Sequence, residues 1–274
     1  MAGPRRLVLA GSVVVDIRLS VPDRPRPGRD VLARRAHAEV GGGFAVLAAA
    51  RRHGLPAAYA GRHGAGPFGA QVRATLAEAG VELLLPRDEG GDSGFRTVLV
   101  EPDGRRSVVT SPGVEARLAG GVLTAVRPRE GDAVHVSGHD LAYPRTGPAI
   151  ATWLAGLDPG VLVVCDLDDG ADVPWEVCRR VLRHAAVVTM TRTQARDLLG
   201  TGRPKAAFHE LREYAPTLTH AVLRAGLDGA WAEDAAAGVV EVPAPPVDPV
   251  DETGGGGTHT GVLLAELARG AALP

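Results

Sequence analysis

The chain is poor in most features that announce a chemistry. Of its 274 residues only Cys165 and Cys178 are cysteines, too few for a disulfide framework or a zinc ribbon. Cys165 closes the apolar run VLVVC (161–165) and reads as a buried thiol. Nine histidines are scattered, with no mixed Cys/His cluster. A catalytic metal held by protein ligands alone is therefore not expected. Lys205 is the only lysine, and 30 basic residues face 32 acidic ones. A net charge of −2 supplies no basic field for nucleic acid or an anionic membrane. The apolar N-terminal stretch is interrupted by Asp16 after about ten residues, too few to span a bilayer, and no cleavage site follows it. A cytoplasmic protein is the expectation. No internal repeat, low-complexity tail or interdomain linker stands out; the Pro-rich stretches 21–28 and 242–249 are short connectors.

What is present is alternation of a longer period. Strand-like apolar runs occur at 7–17, 57–61, 81–86, 133–138, 161–166, 186–190 and 220–226. Amphipathic stretches lie between them at 45–54, 68–80, 147–157, 175–185 and 193–200. Wholly apolar strands alternating with helices predict a parallel sheet covered on both faces. One stretch differs. FRTVLVEPDGRRSVVTSP (95–112) reads strand, turn, strand, with Pro102-Asp103-Gly104 at the bend. It predicts a hairpin flap beside the sheet, and 29–40 offers a second flap strand. The chain is expected to form one domain over 1–274, with lid segments at about 29–40 and 95–110.

Residues 254–257 are four consecutive glycines in front of the apolar helix pattern VLLAELA. Glycine is costly in regular structure, but a bare backbone at a helix N-terminus leaves N–H groups for an anion. GAGPFG (64–69) also satisfies G-x-G-x-x-G. It follows the second strand, Pro67 stands where the helix should begin, and no acidic ribose ligand closes the next strand, so a dinucleotide site is not expected. SGHD (137–140) is merely sequential and makes no Ser-His-Asp arrangement.

Asp251, Thr253, Gly254, Gly256, Thr258 and Gly261 follow the D-T-x-G-A-G-D-T/S-F-x-G pattern of the ribokinase/PfkB family of sugar and nucleoside kinases, which the chain resembles over nearly its whole length. Residues 28–54, with GGG at 41–43, resemble the family's G-G-x-x-N signature; GSVVVDI (11–17) resembles its first strand; residues 60–69 resemble its G-x-x-G-x-D-x-x-G turn. SGHDL (137–141) and VLVVCDLD (161–168) follow in order. LRAGLDGAWA (223–232) is similar to the glycine loop beside the nucleotide. The resemblance implies a ribokinase-like α/β fold with a small β lid. It implies ATP and Mg²⁺ as co-reactants and a sugar or nucleoside as substrate. Asp16, Gly41, Gly42, Gly43 and Ala45 would line the substrate side. Gly254, Gly255 and Gly256 would form the anion hole. Thr191, Gln194, Arg224, Gly226, Gly229, Asp251 and Thr253 would line the nucleotide side. A homodimer through an exposed lid edge is a further expectation.

The departures bear on chemistry. The family's catalytic aspartate, which takes the proton from the attacking hydroxyl, aligns with Gly257. Its substrate-binding asparagine aligns with Ala45. The asparagine and glutamate of its N-x-x-E motif, which orders water and Mg²⁺, align with Thr191 and Gln194. Gly66 replaces a usual aspartate. Glycine accepts no proton, and a general base is worth roughly 10²–10⁴ in rate. Phosphoryl transfer is therefore expected to be crippled or repurposed, with His259 or Asp251 as the candidates for a substitute base. An active kinase and a non-catalytic binding or regulatory subunit are the alternatives. The family adds a helix and strand after the glycine-run helix, where this sequence ends at Pro274; either the sequence is cut short there or the adenine pocket is incomplete, and both readings stay open.

Overall fold

The computed structural model describes residues 3–167, 173–234, 238–247 and 253–271. Its strands are β1 (Arg6–Leu9), β2 (Val13–Ser20), β3 (Arg35–Gly42), β4 (Ala57–Tyr59), β5 (Glu82–Leu83), β6 (Phe95–Val100), β7 (Arg106–Ser111), β8 (Asp132–Ser137), β9 (Leu162–Asp166), β10 (Ala185–Thr191), β11 (His220–Arg224), β12 (Ala230–Asp234) and β13 (Gly238–Val242). Its helices are α1 (Phe44–Arg52), α2 (Pro67–Glu78), α3 (Gly120–Leu123), α4 (Gly138–Ala142), α5 (Thr146–Leu154), α6 (Trp175–Leu182), α7 (Arg192–Leu199), α8 (Pro204–Tyr214) and α9 (Gly255–Ala268).

The main sheet runs β13-β12-β11-β10-β9-β8-β1-β4-β5. It is parallel from β5 to β11, and β12 and β13 add an antiparallel edge. Alternate side chains leave a strand on opposite faces, and here both faces are dry. Val163 and Cys165 join one core with Ile150, Val181 and Phe208. Val164 joins the other with Val46, Leu47, Val72 and Leu264. Thus α5, α6 and α8 cover one face, and α1, α2 and α9 cover the other. A parallel strand buried on both sides needs an unbroken apolar run, which is why these runs were visible in the sequence.

The run at 7–17 is not one strand. Its first part, β1, is central in the main sheet; its second, β2, belongs to a separate sheet of order β3-β2-β6-β7. The break falls at Gly11, where a side chain would collide with the carboxyl of Asp140. Val13 N–H leaves the ladder and donates to the Tyr59 hydroxyl at 3.1 Å. The hairpin read at 95–112 is β6 and β7, paired antiparallel from Phe95↔Ser111 to Val100↔Arg106. The other flap strand, read at 29–40, is β3 and begins only at Arg35. Val13, Val15, Ile17, Val40 and Phe95 of the small sheet pack toward the core with Phe44 and Phe68. Its other face carries Asp16, Gly41, Arg96 and Arg106. The sequence reading passed over β12, β13 and α8. Pro67 does not oppose α2: it is the first helical residue, where its missing N–H is harmless.

Candidate active site

The parallel strands end together on one edge, the usual place for a site in this architecture. Ser12 follows β1, Asp140 follows β8, Asp166 ends β9, Thr191 ends β10 and Arg224 ends β11. On the side of the small sheet, Asp16 reaches this edge from β2 rather than from the parallel sheet. Its carboxylate receives a bidentate fork from Arg96, with Nε at 2.6 Å and Nη2 at 2.7 Å. Gly41, diagonal to it on β3, has no room for a Cβ because Asp16 occupies that space. Gly42 has φ +64 and lies against Ser12 O, which accepts the Gly43 N–H at 2.9 Å. Asp140 is buried and accepts hydrogen bonds from the hydroxyls of Ser12 and Ser137. The structure therefore sets Asp16 against Gly41, with Gly42 and Gly43 beside it against Ser12.

The glycine run makes the first turn of α9. Gly254 is the N-cap at φ +74 and has no side-chain cap, a left-handed position that favours glycine. The first intrahelical bond is Thr258 N–H to Gly254 O at 2.8 Å. The N–H groups of Gly255, Gly256 and Gly257 thus fall outside the intrahelical ladder. A Cβ added at Gly255 meets nothing within 4 Å. One added at Gly257 lies 3.1 Å from the Ala45 Cβ and 3.2 Å from Val46 Cγ2. Gly257 and Ala45, read in the sequence as separate departures, therefore face each other across one gap. His259 lies two residues on, about 200° around the helix from Gly257. Desolvation holds its pKa below the ordinary imidazole value, Arg224 lowers it further and Asp166 opposes both. Arg106 of β7 spans to Thr253 Oγ1 at 3.3 Å, tying the small sheet to the glycine run. Asp251 lies outside the described residues.

On the other flank Asp166 is buried and faces Arg224 Nη2 at 3.0 Å. It also accepts from Thr260 Oγ1 at 2.8 Å, and Thr260 stands 3.3 Å from Thr189 Oγ1. This group anchors α9 from below, in a turn whose glycines give it little rigidity of its own. Thr191 and Gln194 hold each other: Thr191 N–H donates to Gln194 Oε1 at 2.6 Å, and Gln194 N–H to Thr191 Oγ1 at 3.2 Å. They form the capping box of α7. Gly226 and Gly229 shape the β11–β12 turn, where Ala225 N–H donates to Gly229 O at 2.8 Å. His135, buried on β8, has neither ring nitrogen hydrogen-bonded, and desolvation lowers its pKa.

Gly66 is the uncapped N-cap of α2. Asp92 fills the place of its side chain, with Asp92 Cγ 2.5 Å from where a Gly66 Cβ would be. The Asp92 carboxylate accepts the N–H groups of Phe68 at 3.0 Å and Gly69 at 2.7 Å. The aspartate missing at 66 is thus supplied from a distant loop, a pairing with no local sequence signal. The reading also missed Arg96, Tyr143 and the Asp166–Thr260 link. Asp166 had a visible sign, a carboxylate ending an otherwise apolar strand.

The chain is 28% identical to the uncharacterized sugar kinase YegV of Escherichia coli, over 96% of this chain and 82% of that protein. It resembles the crystal structure of ribokinase from Thermotoga maritima with a TM-score of 0.81 at 15% identity, covering 97% of this chain and 86% of that one. Adenosine kinase from Sinorhizobium meliloti gives a TM-score of 0.81 at 20% identity, covering 99% and 90%. Ribokinase from Cryptococcus neoformans, solved with ADP, gives 0.74 at 22%, covering 98% and 88%. The fold is thus ribokinase-like. Residues 4–274 match the pfkB family of carbohydrate kinases, and with its two sheets and its glycine turn at the strand ends, the chain belongs to that family.

Proposed function

We propose that this protein binds a sugar or nucleoside between the small sheet and the glycine turn, and that its ATP-dependent phosphoryl transfer is crippled or put to another use. The observation that carries this reading is the contact between Ala45 and Gly257. The family places a substrate amide and a catalytic carboxylate at these two positions, and here they meet as a methyl group and a bare Cα. Asp16, Gly41, Gly42 and Gly43 make the substrate side. The lid is the small sheet, and the chain is a single domain with that lid.

The residues fit the phosphates of ATP better than they fit Mg²⁺. The first-turn N–H groups of Gly255, Gly256 and Gly257 suit an anion; Thr253 precedes them, Arg224 joins α9 through Asp166 and Thr260, and Gly226 and Gly229 would complete the nucleotide side. When bound, ATP would supply the γ-phosphoryl group and Mg²⁺ would offset its charge. Mg²⁺ prefers carboxylate oxygens, whereas the Thr191–Gln194 pair is neutral and already used as a cap. His259 favours the alternative of an active kinase in one respect, since its lowered pKa keeps it neutral and able to take a proton. Its place, about 200° from Gly257 around α9, puts it on the wrong side of the turn. A homodimer through the lid is part of the reading, because Val108 and Val109 on edge strand β7 are exposed. The test is a coupled ADP-release assay on a panel of neutral sugars and nucleosides, run beside ligand-dependent melting. Binding without turnover is expected, and no melting shift with any panel member would remove the proposed site.

A further inference from the structure

Asp16 and Arg96 come from adjacent strands and share the cleft face of the small sheet with Gly41. The Asp16 side chain is 3% exposed and that of Arg96 is 19% exposed, so the guanidinium shows an edge to the cleft with the carboxylate behind it. A Cβ at Gly41 would lie 3.1 Å from Arg96 Nη2, so the wall beside the fork is bare backbone. Tyr143 completes this corner. Its hydroxyl is 3.0 Å from His139 Nε2, and the two rings meet edge to face. Desolvation raises the Tyr143 pKa, Asp140 and Glu115 add to the rise, and Arg96 opposes it. The phenol and the guanidinium are thus within electrostatic range.

We propose that Arg96 is a specificity-determining residue that contacts the substrate, its fork with Asp16 reading two neighbouring hydroxyls of a neutral polyhydroxylated molecule and rejecting sugar acids. This rests on the sugar-site reading given above. Each carboxylate oxygen has about two acceptor positions, and the fork fills one on each. One hydroxyl can therefore donate to Asp16 while its neighbour accepts from Arg96, and the fork stays intact. A substrate carboxylate has to displace Asp16 from a bidentate pair, the strongest common geometry for this contact. It also meets the negative charge of Asp16, and Asp140 and Glu115 act on Tyr143 in the same sense. Asp140 is held by two serine hydroxyls, and Glu115 by the N–H groups of Gly94 and Gly113. None of these carboxylates is placed to leave.

The test is thermal melting and calorimetric titration of the full chain with neutral aldoses, ketoses and polyols, with the matching aldonic acids, and with nucleosides. Arg96→Lys keeps the charge and loses the fork; Arg96→Gln keeps donors and loses the charge. Both retain a polar partner for Asp16, and unliganded melting checks that they fold. A neutral polyol is expected to bind the wild type at least about tenfold tighter than its aldonic acid, and both variants to lose about tenfold or more in that affinity. An aldonic acid binding as well as the neutral compound, or unchanged affinity in both variants, would overturn the assignment and leave the sugar site standing. If no compound of any class binds, the sugar site and the role of Arg96 fall together. If the variants do not fold, the wild-type comparison of acid with neutral sugar decides alone.

Discussion

Gly257→Asp places a carboxylate where the family keeps its base, and the structure fixes what surrounds it. The new Cβ lies 3.1 Å from Ala45 Cβ and 3.2 Å from Val46 Cγ2, so the turn must move outward by a few tenths of an ångström. Overpacking of this kind costs about 1–3 kcal/mol. Replacing a helical glycine returns about 0.5–1 kcal/mol, and an acid in the first turn of a helix adds about 0.3–1 kcal/mol. Stability is expected to change by no more than about 2 kcal/mol. A general base contributes roughly 10²–10⁴ in rate, about 2.7–5.4 kcal/mol in barrier. An activity gain of that size therefore stands clear of any folding effect.

The measurement is ADP release from the wild type, Gly257→Asp, Ala45→Asn and the double variant, over neutral sugars and nucleosides that first register in melting. Gly257→Asp is expected to raise residual turnover by about 10²-fold or more. The double variant is expected to be non-additive, because its two side chains branch from Cβ atoms that face each other across one gap. Wild-type turnover on the order of 10 s⁻¹, ordinary for an enzyme, would refute the reasoning. So would a Gly257→Asp variant that binds sugar and gains nothing.

Three further outcomes are expected. Asp92→Gly should destabilise the protein by about 0.5–2 kcal/mol in urea unfolding, as loss of an N-cap does, and adding Gly66→Asp to that variant should recover part of the loss. Asp166→Ala should cost about 3–5 kcal/mol in the same assay, because it removes a buried carboxylate from Arg224. Stability should fall as pH drops below about 6.5: His135 has a lowered folded pKa, so below that value the unfolded chain binds the extra proton first. His135→Leu should flatten this slope in pH-dependent melting, and an unchanged slope would acquit His135.

The parallel sheet was legible because strands buried on two faces carry nearly unbroken apolar runs, as in LVVC of β9 and AAVV of β10. The switch from β1 to β2 was not, because apolar residues flank Gly11 on both sides and only the carboxyl of Asp140 explains the break. The short antiparallel edge of β12 and β13 follows a glycine turn and has too few apolar residues to stand out. Helix α8 opens with Pro204 and was hidden in a polar stretch. At the site, the residue types of the glycine run and of Asp16 were readable through the family resemblance. Arg96 was not, because its meaning comes from register: β2 and β6 set it directly beside Asp16, a relation between residues 80 positions apart in sequence.

Placed in space, the departures from the family pattern are unequal. The aspartate lost at Gly66 has moved to Asp92, which satisfies the start of α2 from the other side. Thr191 and Gln194 have exchanged charge for a reciprocal cap, which preserves α7 and its junction with β10. Gly257 and Ala45 differ from both. They face each other, so the two departures fall in one place. A carboxylate restored at 257 alone would face a methyl group, and an amide restored at 45 alone would face a bare helix turn. On the proposed reading, the paired loss is what relaxed demand for a proton acceptor would leave behind, while the fork of Asp16 and Arg96 is what a bound polyol would call for.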